Sequence, residues 1–240
     1  MPRGGGGCCL DTIKGHVSIR AFTGDPIPED DLRLILEAAR RAPTGWNLQP
    51  LSITVVRSRE RLRSLADAVG GQEHVASAAA FLVFSVDYAK IVEAAKELGI
   101  VVKPELSNLY EALVDIGIAS GWAALAAESL GYGIVFVALY ENPCSVAEII
   151  GAPKYVVPTV GLAVGRPAEK PEPRRRQPLE TLVDYEQYGS PERKAKGVLE
   201  TYGSRAMKLF TYIFDAEGYY KEASERIRLC LEEKGFSLHQ

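Results

Sequence analysis

The 240-residue sequence is poor in several features that mark specialised proteins. It has four cysteines, adjacent at Cys8 and Cys9 and isolated at Cys144 and Cys230. None has the C-x-x-C spacing of a zinc or redox site, so free thiols are expected and no metal site is predicted. Basic residues are not in surplus: 28 Lys and Arg stand against 31 Asp and Glu, for a formal net charge of −3. That balance excludes the broad positive surface that nucleic acid or anionic lipid would need. No apolar run approaches the roughly 18 to 20 residues of a bilayer span, and MPRGGGGCCLDTIKG lacks the apolar core of a leader. The expectation is a cytoplasmic protein with neither membrane nor nucleic acid as partner. There is no P-loop, no G-x-G-x-x-G after a strand, no G-x-S-x-G elbow and no internal repeat. What remains is an ordinary globular composition, 47% apolar and 25% charged, in a length that suits one domain with appendages or two small ones.

The hydrophobic pattern is mixed. Residues 10–16 suit a short helix, and VSIRAF alternates as an extended segment. Pro28, followed by Glu29, Asp30 and Asp31, opens a helix whose apolar face is Leu32, Ile35, Leu36 and Ala39, and Pro43 ends it. LSITVV at 51–56 and AFLVFSVD at 80–87 read as buried strands around a helix at 59–69, which Gly70 and Gly71 stop. A helix at 89–98 precedes a long one at 106–131, whose 26 residues would span about 39 Å. It is apolar on nearly every face, which requires burial inside one subunit or between two. GIVFVAL and VVPTVGLAVG give two more strands around the helix PCSVAEIIG. The arm RPAEKPEPRRRQP at 166–178 is too rich in proline for helix or inner strand, and the remainder is a charged helical appendage.

Three groups can carry chemistry. His16, Ser18 and Arg20 alternate on one side of an extended segment, where they form either a polar strand face or a convergent anion site. Arg174, Arg175 and Arg176 form either a solvated arm or a phosphate grip, with Arg175 expected to point away from its neighbours. RAPTGWNLQP at 41–50 is long for a helix-to-strand connection. Gly45 permits close backbone approach and Asn47 offers both donor and acceptor. Trp46 and Trp122 read on their own as core or interface aromatics.

The segments GHVSIRAFTGDPIPEDDLRLILEAARRAPTGWNLQP, GGQEHVASAAAFLVFSVD, LGYGIVFVALYEN and VGLAVGRPAEKPEPRRRQPLETLV, in that order, resemble the FMN-dependent nitroreductase family. Within it they are most similar to the oxygen-insensitive, NADPH-preferring nitroreductase and flavin reductase branch. The resemblance implies an α+β fold, with a central mixed, mostly antiparallel sheet flanked by helices, a long buried central helix and a homodimer. It divides the chain into a flexible start at 1–9, an FMN-binding domain at 10–188 and a helical extension at 189–240. It implies cofactor contacts from His16, Ser18, Arg20, Pro43, Thr44, Gly45, Asn47, Gln72, Ala138, Leu139, Arg174 and Arg176, and substrate contacts from Trp46 and Asn142. The implied activity is ping-pong transfer of two electrons from NAD(P)H through FMN N5 to nitroaromatics, quinones or flavins, with no side-chain catalytic residue and no metal. Dehalogenation, ene reduction, flavin fragmentation or flavin binding without turnover are the alternatives on the same fold. Four positions depart from the family pattern. Val17 replaces a usual arginine, Ala138 and Leu139 replace a frequent Gly-Gly pair, and Trp46 is bulkier than the usual small residue.

Overall fold

The computed structural model of the chain describes residues 9–214 and 218–236. Cys8 and the ends of the chain lie outside that range. The chain forms two compact units, residues 1–171 with 225–240 and residues 172–224. This division differs from the 188/189 boundary expected from sequence, because the second unit begins within the proline-rich arm and the chain later returns to the first.

The first unit contains α1 (Cys9–Lys14), α2 (Glu29–Arg40), a 3₁₀ turn (Gly45–Asn47), β1 (Leu51–Val56), α3 (Arg59–Ala68), α4 (Glu73–Ala76), β2 (Ala80–Asp87), α5 (Ala89–Glu97), α6 (Leu106–Ser129), β3 (Gly133–Ala138), α7 (Pro143–Ile150) and β4 (Val156–Gly165). The second unit holds α8 (Leu179–Leu182), α9 (Pro191–Tyr202), a 3₁₀ turn (Gly203–Arg205) and α10 (Ala206–Phe214). The last helix, α11 (Tyr219–Glu233), ends in the first unit.

The four strands form one antiparallel sheet in the order β1-β2-β4-β3, and Ser18 adds a parallel bridge to Ile134. Strand side chains alternate between two faces, and both faces are covered. Leu82, Phe84, Val86, Leu162 and Val164 pack in one cluster with Ile35 of α2 and Ala112, Ile116 and Ala119 of α6. Phe81, Val83, Val135, Val137 and Ala163 pack in a second cluster with Leu62 and Leu65 of α3 and Val146 of α7. Double coverage is why β2 reads as an unbroken apolar run, buried at all eight positions. By length and composition α6 reaches the size of a bilayer span, which corrects the expectation that no segment does. Its packing against α2 and the sheet shows why it is apolar: it is the central helix of this core.

The expectation of free thiols also fails at one pair. Cys144 in the first turn of α7 and Cys230 on α11 form a disulfide across 86 residues of sequence, with Cα atoms 5.4 Å apart. Neither residue has a neighbour in sequence that announces the other, so only the tertiary fold reveals the pair. Cys9 is a free, exposed thiol.

Gly161 in β4 lies between Val83 and Val137 in the register. A Cβ at this position would sit 2.1 Å from the ring of Phe81, which is fully buried and has no room to retreat. Gly161→Ala should therefore destabilise the protein by about 1–3 kcal/mol through overpacking. Phe81→Leu should partly relieve that penalty in the double variant, a coupling that denaturant unfolding of the three variants measures.

Candidate functional site

The GHVSIR segment is docked beside β3. The Ile19 amide donates to the Ile134 carbonyl at 2.9 Å, and the approach is close because Gly133 has no side chain; a Cβ there would lie 2.7 Å from Ile19. Alternation then leaves Ser18 and Arg20 on the other side from buried Ile19. His16 Nδ1 lies 2.7 Å from Glu128 Oε1 at the end of α6. The backbone amides of Arg20 and Ala21 donate to the carboxylate of Glu169, the second at 3.1 Å.

Arg20 is close enough to His74 on α4 to act on its proton affinity. Burial first, and then the Arg20 charge, hold the His74 imidazole below the usual histidine range, and so in the neutral form at neutral pH. His74 Nε2 is buried with no hydrogen-bond partner among the described residues. The sequence reading missed this residue, and its one signal is position, two places beyond Gln72 in GGQEH. Gln72 caps the same short helix and its amide donates to the Val69 carbonyl at 2.8 Å. Gly70 and Gly71 before it have φ of +84° and +73°, a left-handed pair that only glycine adopts without cost. A Cβ on Gly70 would lie 2.8 Å from the Glu141 carboxylate, so the Gln72 turn and the loop carrying Asn142 are neighbours.

That loop follows β3. Leu139 is fully buried in the second core cluster, which leaves only its main chain for a ligand, while Ala138 is half-buried. Asn142 is exposed at the head of α7 and makes no side-chain cap bond. On the other side of the loop, Arg226 Nε donates to the Glu141 carbonyl at 2.5 Å.

The 41–50 loop is a separate structure. Thr44 enters it extended, and then Trp46, Asn47 and Gln49 all have φ of +54°. Three left-handed residues that are not glycine within four positions are a concentration of unfavourable backbone. The shape is held locally by Gln49, whose amide nitrogen donates to Asn47 O at 3.2 Å and whose backbone amide donates to Thr44 Oγ1 at 3.3 Å. It is held to the core by α6: the Gly45 amide donates to Asp115 Oδ1 at 3.2 Å, and Glu111 fills the space that a Cβ on Gly45 would occupy. The result projects Trp46, which is 94% exposed, together with exposed Pro43 and Asn47.

The structure thus links Arg20, on the segment that carries His16 and Ser18, to His74 beyond the Gln72 turn, links that turn to the loop carrying Asn142, and carries Pro43, Thr44, Gly45, Trp46 and Asn47 on a separate loop. Both regions hang from α6, at Glu128 and at Asp115. The anchors are thirteen positions apart, which is about 20 Å of rigid helix. Arg174 and Arg176 belong to the second unit. There Arg174 and Arg175 line one pocket with Thr201, Tyr202, Arg205 and Leu209.

Chemically, the first region offers a guanidinium, a neutral imidazole, an amide and a hydroxyl, with glycine turns that let main chain approach. Such a set suits a planar, polar-edged heterocycle with an anionic tail. Comparison with known proteins agrees with that chemistry. Residues 13–166 match the profile of the Nitroreductase family. An FMN reductase [NAD(P)H] of Bacillus subtilis is 35% identical over 184 residues, covering 75% of this chain and 74% of the relative. An oxygen-insensitive NADPH nitroreductase of Salmonella typhimurium is 35% identical over 182 residues, with coverage of 75% and 74%. Among solved structures, the NADPH:FMN oxidoreductase of Vibrio harveyi complexed with NAD+ superimposes with a TM-score of 0.86 at 29% identity, covering 96% of this chain and 99% of that one. The chain belongs to the nitroreductase family, in the branch of the FMN reductases and oxygen-insensitive NADPH nitroreductases.

Proposed function

We propose that this protein is an FMN-dependent oxidoreductase that uses NAD(P)H to reduce small-molecule oxidants such as nitroaromatics, quinones or free flavins. The observation that carries this reading is the grouping of Arg20, neutral His74, Gln72 and the Asn142 loop beside β3, in a chain whose relatives are FMN and NADPH reductases. FMN held by these residues would supply two-electron redox chemistry between NAD(P)H and the oxidant. The residues fit the cofactor: a buried imidazole nitrogen without a partner suits the polar edge of the pyrimidine ring.

In this reading Arg20 would offer positive charge to the polar edge of the ring, and Gln72 and His74 would offer hydrogen bonds to the same edge. His16 and Ser18 serve the ribityl and phosphate end, and Arg174 and Arg176 provide the guanidiniums a phosphate favours. The main chain at Ala138 and Leu139 lies along the ring. Pro43, Thr44, Gly45 and Asn47 bond the ring and ribityl chain, and Trp46 and Asn142 border the substrate. No side chain of the protein takes or gives electrons. Cytoplasmic location accords with NAD(P)H as reductant.

We further infer a homodimer in which each flavin site is completed by the 43–47 loop of the second copy. Two observations support it. The loop and the His16 region are anchored about 20 Å apart along one α6. In addition, one side of α6 presents Leu106, Tyr110, Leu113, Val114 and Trp122 as exposed apolar surface. Gly117 and Gly121 stand among them with open space around their Cα atoms. An apolar stripe with small residues at its centre is suited to close packing against another helix.

Two outcomes are expected. The purified protein should be yellow with about one FMN per chain, and NADPH should bleach it under anaerobic conditions; a protein that takes up no added FMN would contradict the reading. Replacing Arg174 and Arg176 with alanine should weaken FMN binding about 10- to 150-fold per substitution, the value of a charge-assisted bond. Riboflavin, which lacks the phosphate, should bind variant and parent alike in fluorescence titration.

A further inference from the structure

Asp115 combines features that stability alone does not explain. It sits in the middle of α6, 4% exposed, among apolar neighbours of the main core cluster such as Ala112, Ile116 and Ala119. Oδ1 accepts one hydrogen bond, from the Gly45 amide at 3.2 Å, while Oδ2 is buried with no partner among the described residues. Burial raises the carboxyl's proton affinity, only partly offset by the Gly45 amide. A buried carboxylate with one oxygen unpaired costs stability. Incompletely satisfied groups of this kind concentrate where function outweighs stability. What Asp115 does contact is the first residue of the left-handed turn at Trp46 and Asn47, a conformation that persists only if its surroundings impose it.

We propose that Asp115 is a positioning residue: through the Gly45 amide it imposes the left-handed shape of the Trp46–Asn47 turn and thereby sets the loop for the flavin of the second copy. This rests on the flavin reading above for its second half only. Glu111, one turn earlier on the same face of α6, fills the space beside Gly45. The loop is therefore held at Gly45 by a hydrogen bond and a steric stop from one face of α6, and Asn47 beyond it is exposed. The titratable groups facing Asp115 are Glu111 on its own helix and Tyr88 after β2. Burial, followed by Glu111 and Asp115, pushes the Tyr88 hydroxyl up to about 12, so Tyr88 does not titrate in the range used below.

The test separates the shape of the loop from flavin binding. The chain has two tryptophans, so in a Trp122→Phe background Trp46 is the sole reporter. Its fluorescence anisotropy in flavin-free protein reads loop order whether or not FMN binds. Asp115→Leu, close in size but without an acceptor, should lower the anisotropy and weaken FMN at least about tenfold with unchanged circular dichroism. Asp115→Asn, which keeps an acceptor for the Gly45 amide, should restore both. Should the leucine disturb packing, Asp115→Ala gives the same comparison. A pH series adds the sign. A proton affinity raised on folding means that stability from Asp115 is present at acid pH and lost as pH rises through the folded pKa. The melting temperature of Asp115→Asn should therefore exceed that of the parent near pH 7–8, and the two should converge toward pH 4. Equal anisotropy in parent and Asp115→Leu, or an asparagine variant that behaves like leucine, overturns the inference. Loss of anisotropy without loss of FMN affinity overturns its link to the flavin. Failure of the parent itself to bind FMN overturns the flavin reading and leaves the loop result standing.

Discussion

A helix is a ruler, and the step of thirteen positions along α6 from Asp115 to Glu128 sets the geometry of this protein. Glu128 receives His16, and with it the segment that carries Ser18 and Arg20 beside β3. Asp115 receives the 43–47 loop. Neither attachment can slide, because the buried face of α6 between them is locked into the core against α2 and the sheet by Ala119, Ala123 and Ala127. A span of about 20 Å holds the two attachment points apart within one chain, and the proposed dimer rests on that spacing together with the exposed apolar side of the helix.

The same helix reconciles two demands on its composition. One side meets the sheet and must be small, hence the alanines at 112, 119, 123 and 127, all buried. The opposite side is apolar yet exposed in the single chain, at Tyr110, Leu113, Val114 and Trp122. Two acidic residues interrupt this run, and both face the loop: Glu111 packs against Gly45 and Asp115 accepts its amide. A polar residue in an apolar helix is thus explained by the one backbone donor it serves.

Much of the fold was legible in the sequence. β2 declared itself through its unbroken apolar run, α2 through its face and acidic first turn, and the 166–178 arm through proline. The 41–50 loop was legible as an overlong connection with glycine and asparagine. What was not legible depends on contacts distant in sequence. Cys144 and Cys230 meet only once α11 has returned to the first unit, where Phe236 packs edge-on against Tyr88 and Tyr155. His74 looks like any helical residue until burial removes its partners. Asp115 looks like a lapse in an apolar pattern until Gly45 is placed beside it. The left-handed turn at Trp46 and Asn47 is invisible for a similar reason, since the chain there is held by α6 and has little intrinsic preference for that shape.

The central claim is that each flavin site joins the His16–Arg20 region of one copy to the 43–47 loop of the other, and mixing two inactive variants tests it most directly. One variant carries Ser18→Ala and Arg20→Ala. The other has its loop disabled by Asn47→Ala and Gly45→Val, the latter directed at the contact with Glu111. Unfolded together and refolded as a mixture, half of the dimers contain one chain of each kind, and each of these has one intact site. The account predicts that the mixture regains about a quarter of the parent's FMN capacity and NADPH-dependent flavin bleaching, although neither variant alone shows either. A mixture that forms mixed dimers yet recovers nothing would contradict it.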